Sequence, residues 1–202
     1  MGHEDKRQEL VEIATRVFLR YGYRKTTLDD IAEAAGLQKS SLYHYFDNKY
    51  DLFRETVSDI HNQLIERFEQ ELTGKNGLLH ELNGYIESIK SEIRRLQPNI
   101  EFMLEDIEEV LPKTRDLTDK MHTRMNAMLV RRLEKAIEDG ELRPCPVKDL
   151  AVIVNMFLER VLKACEMSDH HAKAADDAMH YVEVLFKPYF TDSTIPRETS
   201  AS

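Results

Sequence analysis

The sequence has no tryptophan, only two cysteines, six prolines and seven glycines, and no long apolar run. Each shortage excludes something. Cys145 and Cys165 show no CxxC spacing and suggest no disulfide scaffold, so a reducing cytoplasm is the compartment expected. The longest apolar stretch, Leu150–Leu158, is nine residues long and already contains Asn155, so no membrane span is available. No basic-then-apolar leader opens the chain, and Lys6 stands where N-terminal myristoylation would need Ser or Thr. Alternating Val, Ile and Thr runs are missing as well. With so few Gly and Pro, the expected fold class is all-α, with about nine helices.

Positive charge is also scarce. The chain carries 28 Lys and Arg against 37 Asp and Glu, a net charge of −9, which by itself speaks against a nucleic-acid partner. The distribution reverses that reading. Residues 1–50 contain 8 basic and 8 acidic side chains, so all the surplus acid lies beyond them. A neutral N-terminal region with Arg24, Lys25, Lys39 and Lys49 near its turns can bind phosphate, and an acidic remainder would favour one docking orientation.

The stretch Thr26–Leu52 concentrates the pattern. Leu28, Ile31, Ala32 and Ala35 recur at helical spacing and Gly36 stops that helix. A second short helix, about Gln38–His44, carries Leu42 behind a polar first turn, with Tyr45 and Phe46 assigned to packing. Ahead of them a helix over about Glu4–Tyr21 has an apolar stripe of Leu10, Ile13, Ala14, Val17, Phe18 and Tyr21, ended by Gly22. A compact helix, a glycine turn and a helix with an exposed polar start read as a helix-turn-helix.

Gly22, Thr27, Ile31-Ala32, Ala35-Gly36, Leu42-Tyr43, Phe46 and Lys49 fall in the order and spacing of the TetR family of bacterial transcriptional repressors, which this chain resembles over about Leu10–Leu52. The resemblance implies a reading domain over 1–48 and a helical ligand-binding and dimerisation domain over 49–190; the polar composition of 191–202 reads as a disordered tail. It also implies a homodimer on palindromic double-stranded operator DNA, released by a small-molecule effector. Tyr43 and Lys49 match family positions that grip the DNA backbone. The family often has Ser or Thr at the position of Gln38 and Gly at that of Ser40.

The expected DNA-binding residues are Thr26, Thr27, Gln38, Lys39, Ser40, Ser41, Tyr43, His44 and Lys49. Gln can pair with adenine, Lys with guanine acceptors or phosphate, and Ser with either. Thr27 has two roles open to it, capping its helix or donating to phosphate. For His44 a plain surface position competes with a DNA contact.

A helix from about Asn48 to Leu72 follows, with Leu52, Phe53, Val57, Ile60, Leu64 and Phe68 along one side. After the turn at Thr73–Gly77, another helix carries Leu78, Leu82, Tyr85, Ile86, Ile89, Ile93 and Leu96. Pro98 and Pro112 are expected to open two more helices. Met121, Met125 and Met128 form a stripe on the second of these, either core filler or an adaptable wall for an apolar or aromatic effector. The expected ligand-binding residues are Phe102, Met103, Met121, Met125, Met128, Phe157 and Val161. The helices about 149–165 and 172–190 are expected to form the homodimer interface. The first of them is apolar on most sides and so must be covered on most sides.

A different chemistry competes with this reading. Glu101, Glu105, Asp106, Glu108 and Glu109 cluster, and Asp119 with His122 and Asp177 with His180 stand three residues apart, which suits a helical-bundle metal protein or enzyme. No Glu-x-x-His occurs, nor any GxSxG, HExxH, P-loop or dinucleotide fingerprint. No catalytic residue, cofactor or metal site is nominated.

Overall fold

A computed structural model describes residues 2–96, 107–165 and 178–191. The described chain is all-α: α1 His3–Lys25, α2 Leu28–Ala34, α3 Lys39–Leu42, α4 Lys49–Glu71, α5 Leu78–Leu96, α6 Ile107–Glu138, α7 Val147–Cys165 and α8 Ala178–Phe186. A 3₁₀ turn at Lys187–Tyr189 follows. Eight α-helices thus stand among the described residues against about nine expected, and the start anticipated at Pro98 lies outside them. No described helix is long and apolar enough to cross a membrane.

One expectation is extended and one is corrected. α1 is counted through to Lys25, but Gly22, at φ 78° and ψ 164°, breaks it inside. Only glycine adopts that backbone readily, so the straight helix ends there as the sequence implies, and a further turn is added. Pro112 does not open α6 but lies inside it, five residues beyond the first helical position. There it can give no N–H to the carbonyl four residues earlier.

The chain divides into two compact units, Met1–Gln63 with Arg94–Met121, and Leu64–Ile93 with His122–Ser202. In the first, Leu10, Ala14, Phe18, Ile31, Leu42, Phe46 and Leu52 form a buried core. Phe53 lies edge-on to Phe18 at 5.2 Å and 4.7 Å from Tyr23. Arg7 joins α1 to α4 through a bidentate pair with Glu55 and lies over the Phe46 ring.

The second unit buries one face of each of its helices: Leu78, Leu82, Tyr85 and Ile86 of α5, Leu129 and Leu133 of α6, and Leu150, Val154 and Leu158 of α7. Phe186 and Phe190 stack against each other. The segment after α8 is pinned here: Leu142 pairs with Phe190, and Thr191 bonds to the carbonyls of Gly140 and Glu141. Thr191 thus has a defined place, whereas 192–202, expected to be disordered, lie outside the described residues.

Candidate nucleic-acid interface

The geometry of the helix-turn-helix follows from its caps. Thr27 stands at the N-cap of α2, where its hydroxyl oxygen accepts from the Asp30 N–H, while the Asp30 carboxylate accepts from the Thr27 N–H and hydroxyl. Those bonds hold the Asp30 carboxyl below its ordinary value. Such a reciprocal cap satisfies orphan donors and aligns an acid with the helix dipole. At the other end Leu37 N–H reaches the Ala32 carbonyl and Gly36 N–H the Glu33 carbonyl, with Gly36 at φ +64°. This Schellman closure reverses the chain within a few residues and launches α3.

α3 is shorter than expected, Lys39–Leu42, with Tyr43, His44 and Tyr45 continuing as turns. Gln38 sits at its N-cap and makes no side-chain capping bond. Its amide is therefore not committed to the helix end. Leu42 is fully buried, while Gln38, Lys39, Ser40, Tyr43 and His44 are exposed and Ser41 is half-buried. One apolar anchor fixes a helix whose remaining surface is polar. Lys39 pairs with Asp29 at 2.7 Å across the turn, which raises its pKa, but an exposed pair of this kind is weak and readily exchanged.

Thr26 and Lys49 face inward. Thr26 is buried, and its hydroxyl donates to the Gly22 carbonyl at 2.7 Å, closing the turn that Gly22 begins. The Lys49 ammonium donates to the carbonyls of Tyr23 and Thr26, each at 2.9 Å, and lies 4.4 Å from the centre of the Tyr23 ring. Its charge clamps the start of α4 onto the end of α1. Asn48 caps α4 by accepting the Asp51 N–H.

A second clamp was not visible in the sequence. Arg54 of α4 makes a bidentate pair with Asp116 of α6 and also donates to the Lys113 carbonyl, which accepts from the Tyr50 hydroxyl as well. The Lys113 ammonium lies 4.5 Å from the centre of the Tyr23 ring. The Arg54 guanidinium draws the Asp116 carboxyl down to about 2. No periodicity signals contacts between residues this far apart in sequence.

Of the residues expected to bind a ligand, Met125 and Met128 are buried in the second unit and Met121 is half-buried in the first. Phe157 lies 5.6 Å from Tyr181, edge to face. Phe102 and Met103 lie outside the described residues, as does the side chain of Val161. Among the described residues no three His, Cys, Asp or Glu side chains are placed to hold a metal ion.

Comparison with known proteins agrees with this geometry. Residues 10–56 match the family described as bacterial regulatory proteins, tetR family. The chain is 28% identical over 141 residues to the transcriptional repressor KstR2 of Mycolicibacterium smegmatis, covering 69% of this chain and 68% of that one. Among solved structures, SmeT, the repressor of the Stenotrophomonas maltophilia multidrug efflux pump SmeDEF, superposes with a TM-score of 0.72 at 22% identity over 97% of this chain and 96% of that one. A SmeT–triclosan complex does so with a TM-score of 0.68 at 17% identity over 97% of each chain. The N-terminal helix-turn-helix thus matches the tetR family of bacterial regulatory proteins by sequence, and the whole chain shares the fold of solved members of that family.

Proposed function

We propose that this protein is a cytoplasmic, homodimeric one-component repressor whose two helix-turn-helix domains occupy the half-sites of a palindromic operator. The observation that carries the DNA-binding part is the exposed polar surface of Gln38–His44 held by a single buried anchor, Leu42. Ser40, Ser41 and His44 supply donors and acceptors beside Gln38 and Lys39, and Tyr43, 51% exposed, reaches outward for the backbone. Thr27 serves first as the cap of α2. Lys49 and Thr26 act by holding the turn that presents α3. Half-sites would lie about 34–36 Å apart, or a multiple of that.

Dimerisation is supported by where large apolar side chains are left uncovered. Val152, Ile153, Met156, Tyr181 and Val184 are all exposed, and all lie on α7 and α8. The opposite face of α7 is buried in the unit's own core, so this second apolar face calls for a partner. A second copy of the chain satisfies it, in keeping with the expected interface. The effector reading is supported by Met125, Met128 and Phe157 of the second unit. Thioethers repack around apolar and aromatic shapes, and a solved structure of the same fold is a SmeT–triclosan complex. Effector binding weakens operator affinity through a coupling of about 1–3 kcal/mol between two states.

Selection of bound DNA from a random pool tests the core of the proposal. A palindromic consensus is expected; no enrichment refutes it. Met156→Asp is expected to give a monomer by sedimentation and to abolish binding to the full palindrome. A Met156→Asp protein that remains dimeric refutes the assigned interface.

A further inference from the structure

Residues 1–50 carry no net charge, so their hold on phosphate depends on which cations are uncommitted. Most are committed. Lys6 pairs with Glu9, Arg7 with Glu55, Lys39 with Asp29, and Arg54 of α4 with Asp116. The Lys49 ammonium is held by the carbonyls of Tyr23 and Thr26. Arg16 and Arg20 differ: neither has an acidic partner among the described residues. Both are exposed on α1, four residues apart and so one above the other on the same face.

Their surroundings reinforce the charge. Residues 13–28 contain Arg16, Arg20, Arg24 and Lys25 and no acid, in a chain whose net charge is −9. Glu12, a turn before Arg16, is exposed and makes no ion pair with it. The Arg20 guanidinium lies 5.2 Å from the centre of the Tyr21 ring, and Tyr21 is 45% exposed. The ring steadies the guanidinium, and its hydroxyl is a further donor. Val17 and Phe18 anchor the other side of α1 in the core.

The ridge adjoins the reading helices. Thr26 bonds back to the Gly22 carbonyl through its N–H and its hydroxyl, and Thr27 then caps α2. In a helix-turn-helix the second helix enters the major groove while the first crosses the backbone. Arg20 and Tyr21 stand just before the turn that starts α2, and Arg16 lies about 6 Å further along α1. They extend the surface past the backbone that α2 crosses, by about two phosphates.

We propose that Arg16, Arg20 and Tyr21 grip DNA phosphates flanking each half-site, so that the protein engages a longer duplex than its palindrome. This rests on the operator reading above. Guanidinium groups suit phosphate oxygens, and such contacts add affinity without reading bases.

The test uses the palindrome selected from the random pool, cut flush, and the same palindrome with about ten arbitrary base pairs on each side, one helical turn. Binding by the full-length protein and by R16Q/R20Q is measured from about 50 to 200 mM potassium chloride. At about 100 mM salt the wild type is expected to bind the flanked duplex about tenfold more tightly than the flush one. Its salt slope should be steeper there by about 3–4 units, from two arginines in each of two subunits at about 0.9 apiece. R16Q/R20Q should bind both duplexes alike and keep the wild-type melting temperature, since both arginines are exposed. A flank gain that survives R16Q/R20Q overturns the proposal. Equal losses on both duplexes do so too, because they put the arginines on the half-site itself. A flank effect seen only when sedimentation shows a second dimer on the duplex assigns the ridge to a protein neighbour instead, and also overturns it. A pool with no enriched palindrome refutes the operator reading and this contact together; a selected palindrome that the wild type binds equally with and without flanks removes this contact alone.

Discussion

Replacing Glu81 by Gln tests whether one buried carboxylate organises the second unit. Glu81 is 1% exposed and accepts five hydrogen bonds. Its Oε1 takes the Thr73 hydroxyl and the N–H groups of Lys75 and Asn76; its Oε2 takes the Gly74 N–H and Arg132 Nε. Burial alone would raise its pKa. The Arg132 guanidinium and three backbone N–H groups outweigh burial and hold it at about 2, against an ordinary 4.5. That depression corresponds to about 3 kcal/mol of folding free energy. Because the folded-state value lies below the unfolded one, the contribution is complete above about pH 4.5 and is lost as the pH falls towards 2.

Glu81→Gln can keep the three bonds on one oxygen, but it turns an amide NH₂ towards the Gly74 N–H and Arg132. Donor then faces donor, and a buried guanidinium loses one of its two counter-charges. The expected cost at neutral pH is about 3 kcal/mol. Urea unfolding followed by far-UV circular dichroism, at fixed protein concentration, measures it. The wild type should lose stability steeply on acidification through this window, and the variant much less. A loss under about 1 kcal/mol at neutral pH, or an acid dependence as steep as the wild type's, would refute the reasoning.

Three further outcomes are expected. Lys49→Met should destabilise the protein by about 2 kcal/mol through two lost charge-assisted bonds, and should change the salt slope of DNA binding by less than one unit, because the ammonium is already engaged on backbone carbonyls. A full unit of slope with unchanged stability would show that Lys49 contacts phosphate instead. Thr27→Ala removes the cap of α2 and should cost about 1 kcal/mol in thermal unfolding, with Thr27→Ser restoring most of it. Gln38→Ala should alter base preference in a selection experiment, whereas Tyr43→Phe should weaken all sequences alike; equal losses on every sequence for Gln38→Ala would remove its base-reading role.

What could be read from the sequence was whatever is local. The stripe of α1, the stop at Gly36 and the cap at Thr27 each depend on residues within about a turn of one another, so periodicity and capping chemistry reveal them. α7 shows the same logic with a refinement. Its all-round apolarity signals full coverage, yet in one chain Leu150, Val154 and Leu158 are covered while Ile153 and Met156 are not. The bonds of Lys49, the Arg54–Asp116 clamp and the Glu81–Arg132–Glu141 cluster were not legible, because each joins side chains that only the folded chain brings together. Thr26 illustrates a smaller ambiguity. Adjacent threonines look alike in sequence, but only Thr27 faces out, because the Gly22 break draws the Thr26 hydroxyl back to a carbonyl.

Pro112 gives α6 an internal seam. Its ring leaves the carbonyl four residues earlier without its amide partner, so the turn from Ile107 is joined to the rest by one bond fewer than any other turn of the helix. Just beyond it, the Lys113 carbonyl is gripped by Tyr50 and Arg54. In deuterated water the helix should therefore not behave as one kinetic body. Amides on the N-terminal side of the seam should exchange their protons early, and those from about Leu117 onward much later. The proline and the grip beside it mark where a single continuous rod, to the eye, becomes two independent clocks.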